Sequence, residues 1–505
     1  MIASRFGSTA RGEREEHRMT QKPNVLFLLS DQHNRNIAGF SGNRIVHTPN
    51  LDRLASESAQ FDAAYCQFPL CTPSRISMWT GVLPHKARAL SNYAPIPPEF
   101  ITIPEHFAEH GYVTCGVGKM HAGGARPMNG FQFRPYGDLI PNCFCGHQPD
   151  PVETAKHQAW TRHDIGHFPF AGASEIPDDL LQESIVTREC LSFIKTHSEG
   201  PWFVCAGYSR PHHPLTAPER CFRRYWPDGP ELCPLPEGFP DRIHPHDRFI
   251  VDDYRLTGFS EEQRRRGLAA HYASVDFMDD CIGDLITGLE REGLLENTII
   301  IYTSDHGDLA SEHGLWWKRS YYDGSTAVPL LIRIPGDLHV RVGDVVELLD
   351  IFPTLCDLCA LPTPDGLDGE TLMPFCGSTG TRRKDFARSD HICRPETTFR
   401  MIRTPKWKYV EFPEYPPVLF DMANDPNEER NLASKAECAG VISELHERLW
   451  KDGESWESLI AARQAARDHA AKEFSVRTDR TPNQYALPNG EIVDAEGMLY
   501  SGVGE

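Results

Sequence analysis

Short apolar segments recur along the chain and alternate with segments of helical periodicity. Four apolar segments stand out, at residues 24–29, 202–206, 297–303 and 328–334. Continuous apolar runs of this length are typical of strands buried on both faces of a parallel sheet. Residues 48–61 and 261–293 instead carry apolar side chains at helical spacing, and residues 103–117 predict a helix that leads into a strand. The alternation predicts an α/β fold in which buried strands pair in parallel.

The pattern changes near residue 375, where residues 377–384 have a linker-like composition. We expect residues 23–375 to form the main domain and residues 376–505 to form a smaller C-terminal α+β subdomain with an extended tail. The elements predicted in this subdomain are small antiparallel strands within residues 401–412 and 418–422, a helix over residues 435–470 and a hairpin at Asn489-Gly490.

Composition and charge restrict the possible partners. The 505-residue chain has a net charge of −20, which argues against nucleic acid or an anionic membrane, because both bind basic surfaces. No apolar run approaches the ~20 residues that span a membrane. Residues 1–22 are rich in Arg and Glu and have no apolar signal core, so we expect a disordered N-terminal extension. Without an export signal, the 15 cysteines are expected to be reduced thiols in the cytoplasm.

Polar residues directly follow two of the predicted strands. Asp31 and Gln32 come after the first apolar segment, and Asp305 and His306 come after the third. Ligand groups in open α/β sheets gather at the carboxyl ends of strands. These four residues therefore predict a metal site, whereas a lone turn aspartate, the alternative for Asp31, would have a structural role alone.

Cationic and titratable residues follow other predicted strands. Lys119 and His121 are two residues apart, so in extended backbone both side chains point the same way and suit an anion. His212 lies between Pro211 and Pro214, which restrict it and suit a positioned acid or a donor to substrate. A surface lysine and packed histidines are the alternatives.

Residues 125–180 are rich in Pro, Gly, His and aromatic residues and show little periodicity. We expect them to form long loops around a substrate pocket. Within them, Cys143, Cys145 and His147 offer three zinc ligands without an evident fourth, so a zinc site there is disfavoured.

The most specific motif lies within residues 66–81. Cys71, Pro73, Ser74 and Arg75 spell C-x-P-S-R, and a small helix-capable segment follows up to Gly81. The alternative explanation is that Cys71 is a free cysteine that packs as a small buried hydrophobic residue. The motif resembles the signature of the type I sulfatases, a branch of the alkaline phosphatase superfamily in which this cysteine is oxidised to formylglycine.

The resemblance covers most of the chain, from about residue 23 to residue 433. The separated motifs that carry it occur in the family's order and are Asp31-Gln32, C-x-P-S-R, Gly118-Lys-Met-His121, Pro211-His212, Ser304-Asp-His-Gly307, Lys318 and Leu419-Phe-Asp…Asp425-Pro-x-Glu…Asn431-Leu-Ala. It implies an alkaline-phosphatase-like α/β fold, with a mixed, mostly parallel sheet sandwiched by helices, and a catalytic domain over residues 23–375. Asp-Gln and Asp-His in place of the commoner Asp-Asp and Asp-Asn are similar to the choline sulfatase and phosphonate monoester hydrolase subgroup.

The resemblance also implies a mechanism. The formylglycine hydrates to a diol; one hydroxyl attacks sulfur, and the other later expels sulfate. The ligands implied for one divalent cation are Asp31, Asp305, His306 and the formylglycine from Cys71, and Gln32 is a further candidate. Hard and intermediate ligands of this kind favour Ca²⁺, Mn²⁺ or Mg²⁺ over a thiolate zinc site.

Further residues would handle the substrate. Arg75 would hold the aldehyde hydrate. Lys119, Lys318 and His212 would clamp the transferred group, and His212 or Lys318 would protonate the departing alcohol. The resemblance also implies that His121 takes a proton from the second hydroxyl and that Asn92 touches the substrate.

The implied partners are a small sulfate ester and a formylglycine-generating enzyme. A phosphonate monoester or phosphodiester hydrolase with the same machinery is the alternative, and a non-catalytic binding protein is a third reading that leaves the convergent groups unexplained. Residues 477–505 hold apolar side chains without helical periodicity, so we expect them to dock against the body of the protein or against a neighbouring subunit, as an arm in a homo-oligomer.

Overall fold

The computed structural model of the protein describes residues 22–92, 94–121, 128–135, 137, 168, 171–174, 176–336, 338–377, 381, 384–477, 484–486 and 492–494. Apart from Lys22, the predicted N-terminal extension lies outside the described residues. So do most of the loops predicted within residues 125–180, the run from Cys143 to His147 and most of the tail.

The described strands are β1 Asn24–Asp31, β2 Ala59–Tyr65, β3 Val113–Gly118, β4 Gly172–Ala173, β5 Trp202–Pro211, β6 Thr216–Ala217, β7 Thr298–Ser304, β8 Ala327–Arg333, β9 Val340–Glu347, β10 Ala387–His391, β11 Phe399–Arg403, β12 Trp407–Glu411, β13 Val418–Asp421, β14 Gln484–Ala486 and β15 Ile492–Asp494. The described helices are α1 Pro49–Ser56, α2 Cys71–Thr80, α3 Ile103–Glu109, α4 Gln182–Thr196, α5 Glu219–Phe222, α6 Pro245–Asp253, α7 Glu261–Arg291, α8 Asp323–Thr326, α9 Ile351–Leu358, α10 Ala439–Leu449 and α11 Trp456–Arg477.

A seven-stranded sheet with the order β3-β5-β1-β7-β8-β2-β9 forms the centre of the main domain. The neighbours β3, β5, β1 and β7 all run parallel, with Gly118 opposite Gly207 and Ser30 opposite Ser304. β8 runs antiparallel to both of its neighbours, and β2 pairs parallel with β9. The structure thus confirms the predicted mixed, mostly parallel sheet.

The central sheet is buried on both faces. Along β1, Leu26 and Leu28 join the core beneath α4 and α7, whereas Val25, Phe27 and Leu29 join the core beneath α3 and α9. Side chains of a strand alternate between faces, so an entirely apolar strand is what two covered faces require. The predicted layers of helices on both faces are confirmed.

Local sequence determines where key helices begin and end. The long helix α7 starts with a capping box, in which Ser260 Oγ accepts from the Gln263 backbone N–H at 3.1 Å and Gln263 Oε1 accepts from the Ser260 N–H at 2.9 Å. Helix α2 ends at Gly81, whose φ of 70° lies in the left-handed region that glycine tolerates. The predicted helix over residues 261–293 is therefore α7.

Several predicted elements differ from the structure. The helix predicted over residues 48–61 stops at Ser56, because residues from Ala59 alternate between buried and half-buried positions and pair with β8 and β9 as β2. The helix predicted over residues 435–470 is two helices, α10 and α11, with Gly453 at a φ of 81° between them. Helix α4 and strands β9 and β10 were not predicted.

The C-terminal sheet is antiparallel throughout, with the order β10-β11-β12-β13. Ile402 and Tyr409 on one face pack with Leu445 of α10, while Met401 and Val410 on the other face join the core of the main domain. β14 pairs antiparallel with β15, in line with the predicted hairpin. The subdomain's antiparallel sheet is confirmed, and its boundary at residues 375/376 stays a prediction.

Two further observations concern the described residues alone. Thirteen cysteines lie among them, and all are free thiols. None of the described helices combines the length and the apolar character that crossing a bilayer demands.

Candidate active site

The carboxyl ends of four adjacent parallel strands converge at one edge of the central sheet. Asp31 ends β1, Asp305 follows β7, Lys119 follows β3 and His212 follows β5. All four side chains are buried, with exposed fractions between 0% and 6%. The structure thus brings together residues from four separate segments, as the strand-end rule predicts.

Cys71 is the first residue of α2 and faces this edge. Its Sγ accepts a hydrogen bond from Lys318 Nζ at 3.0 Å and lies 3.3 Å from His306 Nε2 and 3.8 Å from Asp31 Oδ1. Leu70 enters the helix in extended backbone, and Pro73 lies in the first turn, where its missing N–H is tolerated. The thiol is only 1% exposed.

Arg75 joins α2 to the strand ends. Its Nε donates to Asp305 Oδ2 at 2.7 Å, its Nη2 to Asp31 Oδ2 at 2.9 Å and its Nη1 to the Lys119 carbonyl at 2.6 Å. Ser74 adds a hydrogen bond of 2.5 Å to the Asp305 carbonyl. Arg75 therefore orients both carboxylates, and the predicted contact with an aldehyde hydrate stays a prediction.

The cations around Cys71 change its acidity. Burial and the Asp31 carboxylate both raise the pKa of the Cys71 thiol, but Lys318, Lys119 and His306 outweigh them and hold it well below its ordinary value. Burial likewise raises the pKa of Asp31, but Lys119, together with Arg75 and Lys318, holds it well below the usual range. The site therefore stabilises negative charge at the position of Cys71.

His212 is held as a neutral ring. Burial, together with Lys119 and Lys318, lowers the pKa of His212 to about 3. Its Nδ1 lies 2.9 Å from the His213 carbonyl, which can only accept, so Nδ1 carries the proton. The unprotonated Nε2 lies 3.9 Å from Asp31 Oδ1. In this state the ring accepts a hydrogen bond towards the site.

Four of the predicted metal ligands form one compact group. The ligand atoms of Asp31, Cys71, Asp305 and His306 all lie within 4.8 Å of one another. His306 Nδ1 donates to the Gly307 carbonyl at 2.9 Å, which leaves the lone pair on Nε2 pointing at Cys71. A metal-binding histidine is commonly oriented by such a carbonyl, so the donor set fits a divalent cation.

Gln32 adds a fifth potential donor. Its residue is fully buried, its φ of 65° is unusual for a non-glycine residue, and its N–H donates to Asp305 Oδ1 at 3.1 Å. Its side-chain Oε1 is buried without a hydrogen-bond partner among the described residues. An orphaned amide oxygen on the residue that directly follows Asp31 is consistent with a place in the cation site.

The remaining predicted residues surround this group. Lys119 Nζ forms an ion pair with Asp31 Oδ2 at 2.8 Å. The His121 carbonyl accepts from Thr72 Oγ1 at 2.7 Å, so its backbone lies beside the start of α2. Asn92 Oδ1 accepts from the Thr72 N–H at 3.1 Å, which caps the same helix turn. Their predicted roles towards substrate stay predictions.

Sequence reasoning assigned no role to two residues that the structure places in the site. Ser74 joins α2 to Asp305, and Asp308 hydrogen-bonds the side chain of Gln32. Both lie inside motifs already noted, C-x-P-S-R and the run from Ser304 to Asp308. Their positions within those motifs were the signal from which a role in the site could have been predicted.

Family comparisons agree with this geometry. Residues 23–360 match the family model described as sulfatase, and residues 311–455 match the model described as N-sulphoglucosamine sulphohydrolase, C-terminal. The choline-sulfatase of Rhizobium meliloti (strain 1021) is 32% identical over 431 residues, which cover 82% of this chain and 83% of that protein. Arylsulfatase K of Bos taurus is 28% identical over 463 residues, which cover 85% of this chain and 81% of its own.

A solved structure shares the whole architecture. The phosphonate monoester hydrolase of Agrobacterium radiobacter has a TM-score of 0.72 to this chain at 25% identity, covering 94% of this chain and 99% of its own. The family model spans most of the chain and the predicted C-x-P-S-R site, and the sheet places that site at the strand ends. The chain therefore belongs to the sulfatase family and is an enzyme that hydrolyses sulfate esters.

Proposed function

We propose that this sulfatase uses a formylglycine made from Cys71, together with one divalent cation, to cleave a small sulfate monoester. The observation that carries the proposal is the environment of Cys71 Sγ, with Lys318 at 3.0 Å, His306 at 3.3 Å and Asp31 at 3.8 Å. A buried thiol with a purely structural role would not need a cation, an imidazole and a carboxylate around it. A formylglycine at this position supplies a hydrated aldehyde as the nucleophile.

Asp31, Asp305 and His306 would hold the cation, with Gln32 Oε1 as a further ligand. The bound ion lowers the pKa of a coordinated hydroxyl and offsets negative charge on the sulfuryl oxygens. Oxygen and imidazole donors support Ca²⁺, Mn²⁺ or Mg²⁺. Arg75 keeps the two carboxylates in place through its hydrogen bonds of 2.7 and 2.9 Å.

Lys318 is the best candidate to protonate the departing alcohol. The tautomer of His212 leaves its site-facing Nε2 without a proton, and burial holds the pKa of that ring near 3. Lys318 instead presents an ammonium group to Cys71. Among the described residues no carboxylate forms an ion pair with Lys318, so its protons face the reacting atoms rather than a fixed partner.

Lys119, His212 and Lys318 line the space in which the sulfuryl group would lie, and Lys119 offsets the charge of Asp31. We assign His121 as the base for release of sulfate and Asn92 as a substrate contact, as the family resemblance implies. A formylglycine-generating enzyme would act on Cys71. A cytoplasmic location and a homo-oligomer are proposed from the sequence.

Phosphonate monoester hydrolysis is the second candidate. The TM-score of 0.72 to the Agrobacterium radiobacter enzyme favours it. Against it stand Lys119 and His121, because the phosphonate hydrolases that this chain resembles have uncharged hydroxyl residues at these positions. The base needed to release sulfate is therefore present in this chain.

The test combines peptide mass with a substrate panel. The peptide that contains Cys71 should show conversion to formylglycine, and turnover should follow the converted fraction. At least one of choline sulfate, sulfated sugars and aryl sulfates should have a higher kcat/KM than any phenyl phosphonate. Activity in protein whose Cys71 is entirely a thiol would refute the formylglycine, and a phosphonate as the best substrate would favour the second candidate.

A further inference from the structure

We propose that Asp308 is a positioning residue that orients the Gln32 amide so that Oε1 faces the cation site. The inference rests on the cation of the proposed function. It assigns a task to a buried carboxylate that touches none of the reacting atoms.

Asp308 is saturated by backbone and side-chain donors. It is 1% exposed; its Oδ1 accepts from the Ala310 N–H at 2.8 Å and from the Trp317 N–H at 2.9 Å. Its Oδ2 accepts from Gln32 Nε2 at 2.6 Å. His271 Nδ1 lies 4.0 Å from Oδ2, which is beyond hydrogen-bonding distance. The Gln32 amide is therefore the hydrogen-bond donor to this oxygen.

A carboxylate can only accept, and this fixes the amide. Gln32 must turn its NH₂ towards Asp308, because the opposite orientation would place two oxygens against each other. Oε1 then points away from Asp308 and is buried without a partner among the described residues. Leaving such an acceptor unsatisfied costs about 1–3 kcal/mol. A cation held by the neighbouring Asp31 and by Asp305, which accepts from the Gln32 N–H at 3.1 Å, would satisfy it.

Replacing the carboxylate by an amide should reverse the orientation. In Asp308→Asn, the side-chain oxygen stays with the two backbone N–H groups, so its NH₂ faces Gln32. The glutamine amide then rotates, and its NH₂, which has no lone pair to offer a metal, faces the cation site. Loss of an orienting partner typically costs about 10–100-fold in metal affinity.

In a chain that already carries Gln32→Glu, the substitution Asp308→Asn should not weaken metal binding. A carboxylate has two equivalent ends, so the new glutamate can accept from the amide of Asp308→Asn with one oxygen and present the other to the cation. The double variant, Gln32→Glu with Asp308→Asn, also carries the same total charge as the natural pair. Asp308→Asn should therefore weaken metal binding in the natural chain but not in the Gln32→Glu background.

The experiment measures Ca²⁺ and Mn²⁺ affinity by calorimetry on the metal-stripped full-length chain, the two single variants and the double variant. Asp279→Asn is the matched control: Asp279 is also buried and accepts from backbone N–H groups at Asn50 (3.1 Å) and Leu51 (2.7 Å), and among the described residues it contacts neither Gln32 nor a candidate metal ligand. It should keep the affinity of the natural chain. Thermal unfolding of each metal-free variant checks that it is folded.

The outcomes separate the two proposals. An affinity loss of about 10–100-fold from Asp308→Asn in the natural chain, and none in the Gln32→Glu background, supports the positioning role. An equal loss in both backgrounds means that Asp308 acts through charge or structure, and no loss in the natural chain means that it does not orient Gln32; either result overturns the inference alone. A natural chain that binds neither of these ions, nor Mg²⁺ in the same measurement, overturns the cation of the proposed function, and this inference with it.

Discussion

Two clusters of buried charges in this chain differ in how they are satisfied. The active-site cluster surrounds Cys71. The second, the junction cluster, consists of Arg35, Tyr65, Asp323, Lys408 and Glu428 and lies where the C-terminal sheet meets the main domain. Apart from Arg35, which is partly exposed, both clusters are buried, and both contain carboxylates beside cations.

The charged groups of the junction cluster all have partners within the protein. Lys408 Nζ donates to Asp323 Oδ1, to Glu428 Oε1 and to the Tyr321 carbonyl, which uses all three of its protons. Asp323 Oδ2 accepts from Arg35, and Glu428 Oε2 accepts from the Asp323 N–H at 2.6 Å. Neither carboxylate lacks a partner.

The active-site cluster contains groups that the protein does not pair. Gln32 Oε1 has no hydrogen-bond partner, and the ammonium of Lys318 meets a thiol and an imidazole rather than a carboxylate, among the residues that the structure covers. Buried polar groups are normally satisfied, so an unsatisfied one at the strand ends, where ligand groups gather, suits a bound ligand. Buried charge alone does not distinguish the active-site cluster from the junction cluster; unpaired atoms at the strand ends do.

The largest expected effect comes from the nucleophile. Cys71→Ala should lower kcat by on the order of 10⁶-fold, as removal of a nucleophile does elsewhere, while leaving the fold intact. Cys66→Ala is the matched control, since Cys66 is also buried and burial raises the pKa of its thiol. Assays with a chromogenic aryl sulfate give both values. Substantial turnover by Cys71→Ala would remove Cys71 from the mechanism.

Lys318→Met should separate activity from stability. Loss of a positioned proton donor lowers kcat by about 10²–10⁴-fold. The free energy of unfolding should be kept or raised, because the change removes a buried cation that no carboxylate pairs among the described residues. Steady-state kinetics and urea unfolding measure the two effects. A variant that is destabilised but fully active would place Lys318 with the structural residues.

Lys408→Met should have the opposite pair of effects, with a lower free energy of unfolding and a smaller loss of kcat. Removing one member of a buried ion pair typically costs about 3–5 kcal/mol of stability, because Asp323 keeps its charge without Lys408, and Glu428, whose pKa burial already raises to about 7, must take up a proton. The kcat of the folded fraction should fall far less than in Lys318→Met. Adding Glu428→Gln should restore part of the lost stability in urea unfolding. Equal kinetic losses at Lys408 and Lys318 would erase the distinction between the clusters.

The smallest expected effect concerns Glu312, whose Oε1 accepts from Asn34 at 2.9 Å between the two clusters. Burial, with Asp323 adding, raises the pKa of Glu312 to about 7, from an ordinary value of 4.5. Between these values the folded chain holds a proton that the unfolded chain has lost, so stability falls as pH rises through this window.

Glu312→Gln removes this loss. Its stability relative to the natural chain should increase between about pH 5 and pH 8, by up to about 3 kcal/mol. Urea unfolding at several pH values measures the difference and cancels other raised carboxyls such as Asp279, whose pKa burial raises to about 7. Parallel stability curves for the two proteins would contradict the assignment.

The sequence predicts those helices and strands whose apolar residues recur with an unambiguous period. β1 and β7 have apolar centres and are buried throughout because both faces are covered, so their positions follow directly from the sequence. β2 was missed because Gln60 and Asp62 interrupt it and helix α1 ends just before it. β9 was missed because the strand lies at the edge of the sheet and carries exposed residues such as Arg341 and Asp344.

The residues of the site likewise fall into those that the sequence predicts and those that it does not. Residues at strand ends could be predicted, because parallel strands bring their carboxyl ends to one edge. Cys71 could be predicted from its motif. The pairing of Gln32 with Asp308 could not, since these residues are 276 positions apart and meet only through the path of the loop after β7. Contacts of this kind depend on tertiary geometry that no local pattern encodes.

The burial of α2 has a consequence for how the enzyme is made. All ten residues from Cys71 to Thr80 are buried in the folded chain. A modifying enzyme must reach the side chain of Cys71, which is only 1% exposed in the folded chain. The proposed oxidation of Cys71 therefore belongs to the time before folding. The fraction of active molecules is then fixed during synthesis, and later supply of the modifying enzyme cannot raise it without unfolding the protein.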